Sequence, residues 1–141
     1  MHLRRLPFQR QSLRHFNRAQ QQQRCMSSSG SNGVITLSDA SAVQKFRTLN
    51  TKSVLYFTAS WCPPCKMISP IYTKLSEKYP DVSFGKVDVD DNSDAAVEFQ
   101  VSAVPTFVFC KGEEGKGDVV NKFSGADEGQ LEKLIKDHQD S

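Results

Sequence analysis

The sequence predicts an α/β domain with a central mixed β-sheet flanked by helices on both faces. Short apolar runs alternate with segments whose apolar residues recur at helical spacing, which favours parallel strands joined by helices. The run at residues 53–58 is apolar on both faces, as expected of a central strand that is covered on both sides. A loop with three glycines at residues 111–117 separates two further apolar runs and predicts an antiparallel hairpin at one edge of the sheet.

The predicted elements follow in the order strand, helix, strand, helix, strand, helix, strand, strand, helix. The strands are the apolar runs at residues 34–37, 53–58, 82–88, 106–110 and 118–123. The helices run from 39 to about 49, from the cysteine pair to about 79, over a short segment that ends near 99, and over 127–138. Ser38 is expected to cap the first helix, with Asp39 in its first turn.

Charge divides the chain into two unequal parts. Six arginines and no acidic residue occur between residues 1 and 38. Removing these six from the 18 Lys and Arg leaves 12 basic against 16 acidic side chains, so the remainder is acidic. We therefore expect no nucleic-acid partner for the chain as a whole. No stretch approaches the roughly 20 apolar residues of a membrane-spanning helix, so no membrane partner is expected either.

Residues 1–26 have the composition of an organelle transit peptide, because they are rich in arginine, contain no acid and precede a serine run. Arg10, Arg14 and Arg18 are spaced four apart and would share one face of a helix. The alternatives are a disordered tail and a basic arm for nucleic acid. We predict a mitochondrial transit peptide over residues 1–26 and a flexible linker over 27–33, followed by one domain.

The segment around Arg24 resembles a mitochondrial processing site, in which an arginine lies three residues before the cut. Cleavage after Met26 would remove Cys25 and leave the domain of residues 34–141 with its linker. A secretory signal needs an apolar core of about 7–15 residues, which this segment does not contain. The predicted location is the mitochondrial matrix, with a plastid or the cytosol as alternatives because plastid transit peptides share this composition.

Cys62 and Cys65 are the two cysteines that lie close together in the sequence. A pair with this spacing at the start of a helix can close a small disulfide ring, and the first thiolate would face unpaired backbone N–H groups. Pro63 and Pro64 fit a first helical turn, where N–H groups lack helical partners. The pattern predicts thiol–disulfide exchange, with Cys62 as the nucleophile and Cys65 as the resolving thiol.

Two other interpretations of this cysteine pair remain open, half of a zinc site and a pair of inert core thiols. A tetrahedral zinc site needs two more ligands, and neither Cys25 nor Cys110 belongs to a second pair. The histidines are equally isolated, at His2, His15 and His138. The acidic segment at residues 88–94 lacks the glycine and distal glutamate of a calcium loop, so we interpret it as solvated surface. No metal site is predicted.

Several motifs, in this order, resemble the thioredoxin family over about residues 34–138. Residues 61–66, Trp-Cys-Pro-Pro-Cys-Lys, are similar to the family's active site, with Pro-Pro where Gly-Pro is usual. Further matches are Pro70 at the family's helix kink, Lys86 at a lysine under the active site, Val104-Pro105-Thr106 at a cis-proline loop, and Gly125 at a glycine of the substrate groove. The resemblance implies the thioredoxin fold.

The resemblance also implies roles for these residues. Cys62 and Cys65 would form the active-site disulfide, and Lys86 and Tyr56 would tune the proton affinity of its thiols. The implied substrate-docking surface consists of Trp61, Pro63, Pro64, Val104, Pro105 and Gly125. Electrons would come from NADPH through a thioredoxin reductase, so the chain, expected to be a monomer, would need no bound cofactor.

One position departs from the family pattern. The family usually has a buried aspartate six residues before the first active-site cysteine, and this chain has Tyr56 there. A phenol cannot accept a proton near pH 7 as a carboxylate can. We hypothesise that Cys65 loses its proton through water while Lys86 tunes the field. Residues 56–61 resemble the plant mitochondrial o-type members, whereas a Pro-Pro core is more usual in the h-type ones.

Two alternative functions follow from the same features. One is a binding module of the same fold in which the cysteines matter little. The other is an oxidant or isomerase of the secretory pathway, which the missing signal segment and the missing C-terminal retention sequence argue against. Cys110 lies on an apolar strand and is expected to be structural. The alternative is a regulatory disulfide between the Cys110 residues of two copies.

Overall fold

The sheet of the computed structural model contains five strands, and the structure describes residues 33–141. The strands are β1 (Val34–Thr36), β2 (Lys52–Thr58), β3 (Ser83–Asp88), β4 (Thr106–Lys111) and β5 (Asp118–Ser124). The α-helices of the described region are α1 (Ala40–Leu49), α2 (Pro63–Lys78), α3 (Ser93–Glu98) and α4 (Glu128–Asp140). A single 3₁₀ turn, Glu113–Gly115, lies in the loop between β4 and β5.

The strands lie in the spatial order β1-β3-β2-β4-β5, with β1, β2 and β3 parallel to one another. β4 runs antiparallel to both β2 and β5, so the last hairpin forms one edge of the sheet. This arrangement confirms the predicted α/β class, the mixed sheet and the order of elements. The predicted boundaries agree with the observed ones within two residues.

The predicted transit peptide at residues 1–26 lies outside the described residues. So does the predicted linker at 27–33, apart from Gly33. Cys25 lies outside them as well. These parts of the sequence analysis therefore remain predictions.

The cap of α1 differs from the sequence prediction. Asp39, and not Ser38, is the N-cap residue, since its backbone is extended and its Oδ1 accepts the Ala42 N–H at 2.7 Å. Both residue types suit an N-cap, and a carboxylate also interacts favourably with the positive end of the helix dipole. The prediction that Asp39 lies inside the first turn was therefore wrong by one residue.

The core consists of two layers, one on each face of the sheet. Six of the seven residues of β2 are buried, which confirms its predicted central place. One layer packs α2 and α4 against the sheet through Val54, Tyr56, Ile68, Tyr72, Phe107, Leu131 and Ile135. The other packs α1 and α3 through Leu55, Phe57, Val87, Val43, Phe46, Ala95 and Val108. Burial of these apolar side chains is the main favourable contribution to folding.

Chain direction brings three segments together at one end of the sheet. The carboxyl ends of the parallel strands β2 and β3 meet there, and the Val89 N–H donates to the Thr58 carbonyl at 2.9 Å just beyond them. β4 begins at this same end because it is antiparallel to β2. The cysteine pair that follows β2, the acidic segment that follows β3 and the loop that precedes β4 are therefore neighbours.

The opposite end of the sheet holds the carboxyl end of α4. The Lys52 ammonium, at the start of β2, donates to the Gln139 carbonyl. His138 is buried, and its Nε2 lies 3.1 Å from the Cys110 carbonyl oxygen at the far end of β4. Among residues 33–141, no helix combines the length and apolar composition that crossing a bilayer requires.

Gln100 has the one left-handed backbone among the non-glycine residues of 33–141, with φ of 53°. It follows α3 in a Schellman motif, in which the Gln100 N–H donates to the Val97 carbonyl and the Val101 N–H to the Ala96 carbonyl. Lys122 Nζ donates to the carbonyls of Phe99 and Gln100 and holds the turn in place.

We predict that Gln100→Gly raises the free energy of unfolding by about 0.5–1 kcal/mol, because glycine adopts this conformation without a steric cost. Urea unfolding measures the change. As a control, Lys45→Gly at an exposed position inside α1 should lower the free energy of unfolding by about 1 kcal/mol. A loss of stability in Gln100→Gly would contradict the strain assigned to this turn.

We predict that His138 makes folding stability depend on pH below neutrality. Burial lowers the pKa of His138 from its usual 6.5, hydrogen bonds to the Cys110 and Ser53 carbonyls oppose this shift, and Lys111 and Lys52 add to it. As the pH falls, His138 therefore takes up a proton in the unfolded chain at a higher pH than in the folded one. The stability that the neutral ring provides is present above about pH 6.5 and is lost as the pH falls below that value.

Urea midpoints between pH 7.5 and 5.5 measure this loss. The wild-type midpoint should fall more steeply than that of His138→Gln, whose amide can still donate to the Cys110 carbonyl but does not titrate. Parallel pH profiles for the two proteins would contradict the assignment.

Candidate active site

Cys62 is the N-cap residue of α2, and its side chain performs the capping. Its backbone is extended, and its Sγ accepts the Cys65 N–H at 3.2 Å. Pro63 and Pro64 occupy the first two helical positions and have no N–H to donate. The Cys65 N–H is therefore the first backbone donor that α2 can offer the sulfur of Cys62, at the positive end of the helix dipole.

Cys62 and Cys65 form a disulfide, with their Cα atoms 5.3 Å apart. This separation lies within the usual range for disulfides. Both residues are buried, Cys62 at 3% exposed and Cys65 completely. They pack with Ala59 against the half-buried Val89 and Val104, so an apolar wall surrounds the pair on its inner side.

The loop before β4 lies beside this disulfide. The Val104–Pro105 peptide bond is cis, as the family resemblance implied, and the Val104 carbonyl oxygen lies 3.7 Å from Cys62 Sγ. Gly125 follows β5 with φ of 116°, and its N–H donates to the Pro105 carbonyl at 2.9 Å. A residue with an L side chain rarely adopts that φ, so the backbone conformation at this position favours glycine.

A pair of hydroxyl groups holds the same loop against β5. Thr106 Oγ1 donates to the Ala103 carbonyl at 2.6 Å and lies 3.0 Å from Ser124 Oγ. Thr106 is buried. No role could be assigned to either hydroxyl from the sequence, because Thr106 and Ser124 lie on different strands and no local pattern links them.

Trp61 is 65% exposed although it is the largest side chain of the site. Its indole Nε1 donates to Asp90 Oδ2 at 2.9 Å, and the Asp90 N–H donates in turn to Asp88 Oδ1 at 2.8 Å. The acidic segment interpreted from the sequence as solvated surface thus also orients the tryptophan. In residues 33–141, no cluster of three or more potential metal ligands occurs.

Tyr56, at the position where the family usually has an acid, lies fully buried below Cys65. Its ring packs against Phe107 and Tyr72 with centroid distances of 5.0 and 4.9 Å. The Tyr56 hydroxyl lies 2.9 Å from both the Cys65 carbonyl oxygen and Ser69 Oγ. Ser69 Oγ itself donates to the Cys65 carbonyl at 2.8 Å. Sequence reasoning missed Ser69, because nothing around it signals more than an ordinary helical serine.

Lys86 is half-buried in β3, directly beside Tyr56 of β2 in the parallel register. Cross-strand neighbours share a face of the sheet, so Lys86 lies on the side of α2. Pro70 lies inside α2, which continues through it to Lys78. Because Pro70 has no N–H, the Lys66 carbonyl lacks its usual helical donor.

Cys110 is a free cysteine and is completely buried in β4. Burial is the main cause that raises the pKa of its thiol to about 11; Arg47 opposes this shift and Asp118 adds to it. Since the thiolate is the reactive species, this environment disfavours exchange at Cys110 and supports the structural role expected from the sequence. A disulfide between two copies would require a thiol that reaches the surface.

Comparison with known proteins agrees with this geometry. The thioredoxin family model matches residues 33–137. The chain is 49% identical to the mitochondrial thioredoxin-3 of Saccharomyces cerevisiae over 96 residues, which are 66% of this chain and 72% of that relative. It is 40% identical to the mitochondrial thioredoxin O1 of Arabidopsis thaliana over 117 residues, which are 79% of this chain and 58% of that relative.

A solved structure of the oxidised yeast mitochondrial thioredoxin 3 superimposes with a TM-score of 0.67 at 43% identity, covering 74% of this chain and 94% of that one. The described fold, the disulfide at the start of α2 and the cis-proline loop thus occur together in a chain that the family model matches over most of its length. The chain therefore belongs to the thioredoxin family and is a thiol–disulfide oxidoreductase that reduces disulfides in other proteins.

Proposed function

We propose that Cys62 is the attacking cysteine and Cys65 the resolving one, and that the oxidised pair is reduced by an NADPH-linked thioredoxin reductase. The position of Cys62 carries this proposal. Its sulfur caps α2, where the Cys65 N–H and the helix dipole stabilise negative charge. Cys65 lies inside the helix and is fully buried, which suits a thiol that acts only on its neighbour.

The exchange proceeds in two balanced steps. The Cys62 thiolate attacks one sulfur of the substrate disulfide, forms a mixed disulfide and releases the other substrate sulfur as a thiolate. The Cys65 thiolate then attacks Cys62 Sγ, closes the intramolecular disulfide and releases the second substrate thiolate. The two cysteine thiols supply the two electrons, and their two protons pass to the solvent and the product thiols.

Substrate docking is assigned to the surface around Cys62 that consists of Trp61, Pro63, Pro64, Val104, Pro105 and Gly125. The exposed indole, fixed by its bond to Asp90, offers a rigid apolar contact. A substrate peptide can pair with the backbone of Val104, whose carbonyl already faces Cys62. No cofactor is required by this chemistry, since the pair itself carries the electrons.

Tyr56 and Lys86 are assigned the tuning of the two thiols. Both lie on the side of the sheet that faces α2, and the Tyr56 hydroxyl contacts the Cys65 carbonyl. Neither offers a carboxylate that could take the proton of Cys65, so water is the proposed acceptor. The Pro-Pro segment removes two N–H donors near Cys62, which reduces the stabilisation available to its thiolate.

We also propose that residues 1–26 are a mitochondrial transit peptide, which is removed by cleavage after Met26. The mature protein then begins with the linker of residues 27–33 and is a monomer in the mitochondrial matrix. The acid-free, arginine-rich composition of residues 1–26 supports this location, and the mitochondrial relatives from yeast and Arabidopsis agree with it. The burial of Cys110 supports the monomer, because its thiol is not accessible to a second copy.

We predict that the full chain, mixed with NADPH, a thioredoxin reductase and insulin, consumes NADPH, and that Cys62→Ser abolishes this turnover by removing the attacking thiolate. Cys65→Ser should still attack but should accumulate a mixed disulfide, which non-reducing gels detect. Cys110→Ala serves as the matched control and should keep full turnover. If the folded wild-type protein gave no turnover, a non-catalytic binding module would become the better interpretation. A Cys62→Ser/Cys65→Ser double variant that kept its function in cells would also support the binding module.

We predict that isolated mitochondria import the full chain and convert it to a product whose first residue is Ser27. N-terminal sequencing of the imported protein identifies the cut. Arg24→Ala is expected to impair or shift the cut without preventing import, since other arginines of the segment remain. A product that still begins at Met1, or import into chloroplasts in place of mitochondria, would contradict the proposed location.

A further inference from the structure

Three oxygen atoms form a closed group at the resolving cysteine. The Cys65 carbonyl oxygen, the Tyr56 hydroxyl and the Ser69 hydroxyl lie 2.8–2.9 Å from one another. Each hydroxyl has one proton that can rotate towards the carbonyl or towards the other hydroxyl. Two hydroxyl protons are therefore shared among three contacts. The Cys65 carbonyl keeps one hydroxyl donor even when the other hydroxyl group turns away from it.

The two hydroxyl groups differ in how they are held. Tyr56 is fully buried in the centre of β2, and its ring is fixed between Phe107 and Tyr72. Ser69 is half-buried on α2, one turn after Cys65. The Tyr56 hydroxyl therefore holds the Cys65 carbonyl from a fixed position on the sheet. Ser69 connects the Tyr56 hydroxyl to α2, the helix that carries Cys65.

The chemistry of the resolving step gives this anchor a function. Cys65 Sγ has to approach Cys62 Sγ in line with the departing substrate sulfur, and orientation of this kind is a large part of the rate of an intramolecular reaction. Fixing the carbonyl restricts the backbone of Cys65 and hence the direction of its side chain. The aspartate that the family usually has at the position of Tyr56 is absent. The two neutral hydroxyl groups therefore hold the Cys65 carbonyl without adding a negative charge to the site.

We propose that Ser69 is a positioning residue for the resolving step, and that it acts together with Tyr56 through the Cys65 carbonyl. This inference rests on the proposed roles of Cys62 and Cys65. It concerns the second step of the exchange, and Ser69 leaves the attack by Cys62 unaffected because its hydroxyl contacts the Cys65 carbonyl and the Tyr56 hydroxyl and not the capping sulfur.

The same helix offers a matched comparison. Thr73 Oγ1 donates to the Ser69 carbonyl at 3.1 Å, a side-chain bond to the carbonyl four residues earlier, like that of Ser69. Thr73 is exposed and lies one turn further from the disulfide. Removing its hydroxyl therefore tests whether loss of any such bond in α2 affects the chemistry.

The test mixes the reduced full chain rapidly with dithiobis-nitrobenzoate, a small disulfide whose thiolate product is coloured. Attack by Cys62 releases one coloured thiolate at a rate proportional to reagent concentration. Attack by Cys65 on the mixed disulfide then releases a second one at a rate independent of that concentration. All proteins carry Cys25→Ser, so that the Cys62–Cys65 pair is the source of rapid colour.

We expect Ser69→Ala and Tyr56→Phe each to slow the second phase about threefold, and the double variant to slow it by roughly tenfold or more, as expected for the loss of one and two neutral hydrogen bonds. The first phase should stay at the wild-type rate in Ser69→Ala. Thr73→Ala should change neither phase.

An isosteric pair keeps the test decisive if the double variant does not fold. Ser69→Thr retains the hydroxyl and should stay within about twofold of wild type, whereas Ser69→Val lacks it and should slow the second phase about threefold. Equal second phases in Ser69→Thr and Ser69→Val, or equal slowing by Thr73→Ala, would overturn the proposal. If the wild type lacked the first phase, the proposed role of Cys62 would fail instead, which separates the two conclusions.

Discussion

The capping of α2 by the sulfur of Cys62 is the contact on which the rest of the site depends. A helix needs acceptors for its first N–H groups, and here a cysteine provides one in place of the usual Ser, Thr, Asp or Asn. The contact places Cys62 at the start of α2 and Cys65 inside the helix. It also makes the stability of the helix start and the reactivity of the sulfur two results of one hydrogen bond.

The sheet supplies the other half of the site because its strands have mixed directions. Two parallel strands end beside the disulfide, and an antiparallel strand begins there with a cis-proline. Loops from three different parts of the chain thus surround one sulfur pair. The Trp61–Asp90 contact joins the loops that follow β2 and β3, and the contacts of Gly125 with Pro105 and of Ser124 with Thr106 hold the loop that precedes β4. The rigidity of the surface comes from these ties and from the apolar wall behind the pair.

Local patterns in the sequence were sufficient for the class of fold, the order of elements and the cysteine pair, since apolar periodicity and a Cys-Pro-Pro-Cys segment at a helix start are signals within a few residues. The N-cap of α1 was predicted at Ser38 and lies at Asp39, because the two residues are adjacent and both types are favourable N-caps. Ser69 and the Trp61–Asp90 contact could not be predicted, because each depends on tertiary neighbours far apart in sequence. The position of Tyr56 was noted, but its hydroxyl partners emerge only once α2 lies on the sheet.

The ends of the described domain both lie away from the reactive disulfide. β1 starts at the amino end of the parallel strands, opposite the end where Cys62 lies, and the Lys52–Gln139 contact places the last turn of α4 near that same opposite end. The domain is therefore suited to attachment through either end. A fused partner domain, an affinity tag or a surface linker joined there would leave the proposed docking surface free, so this fold can be used as an interchangeable redox module in a larger chain.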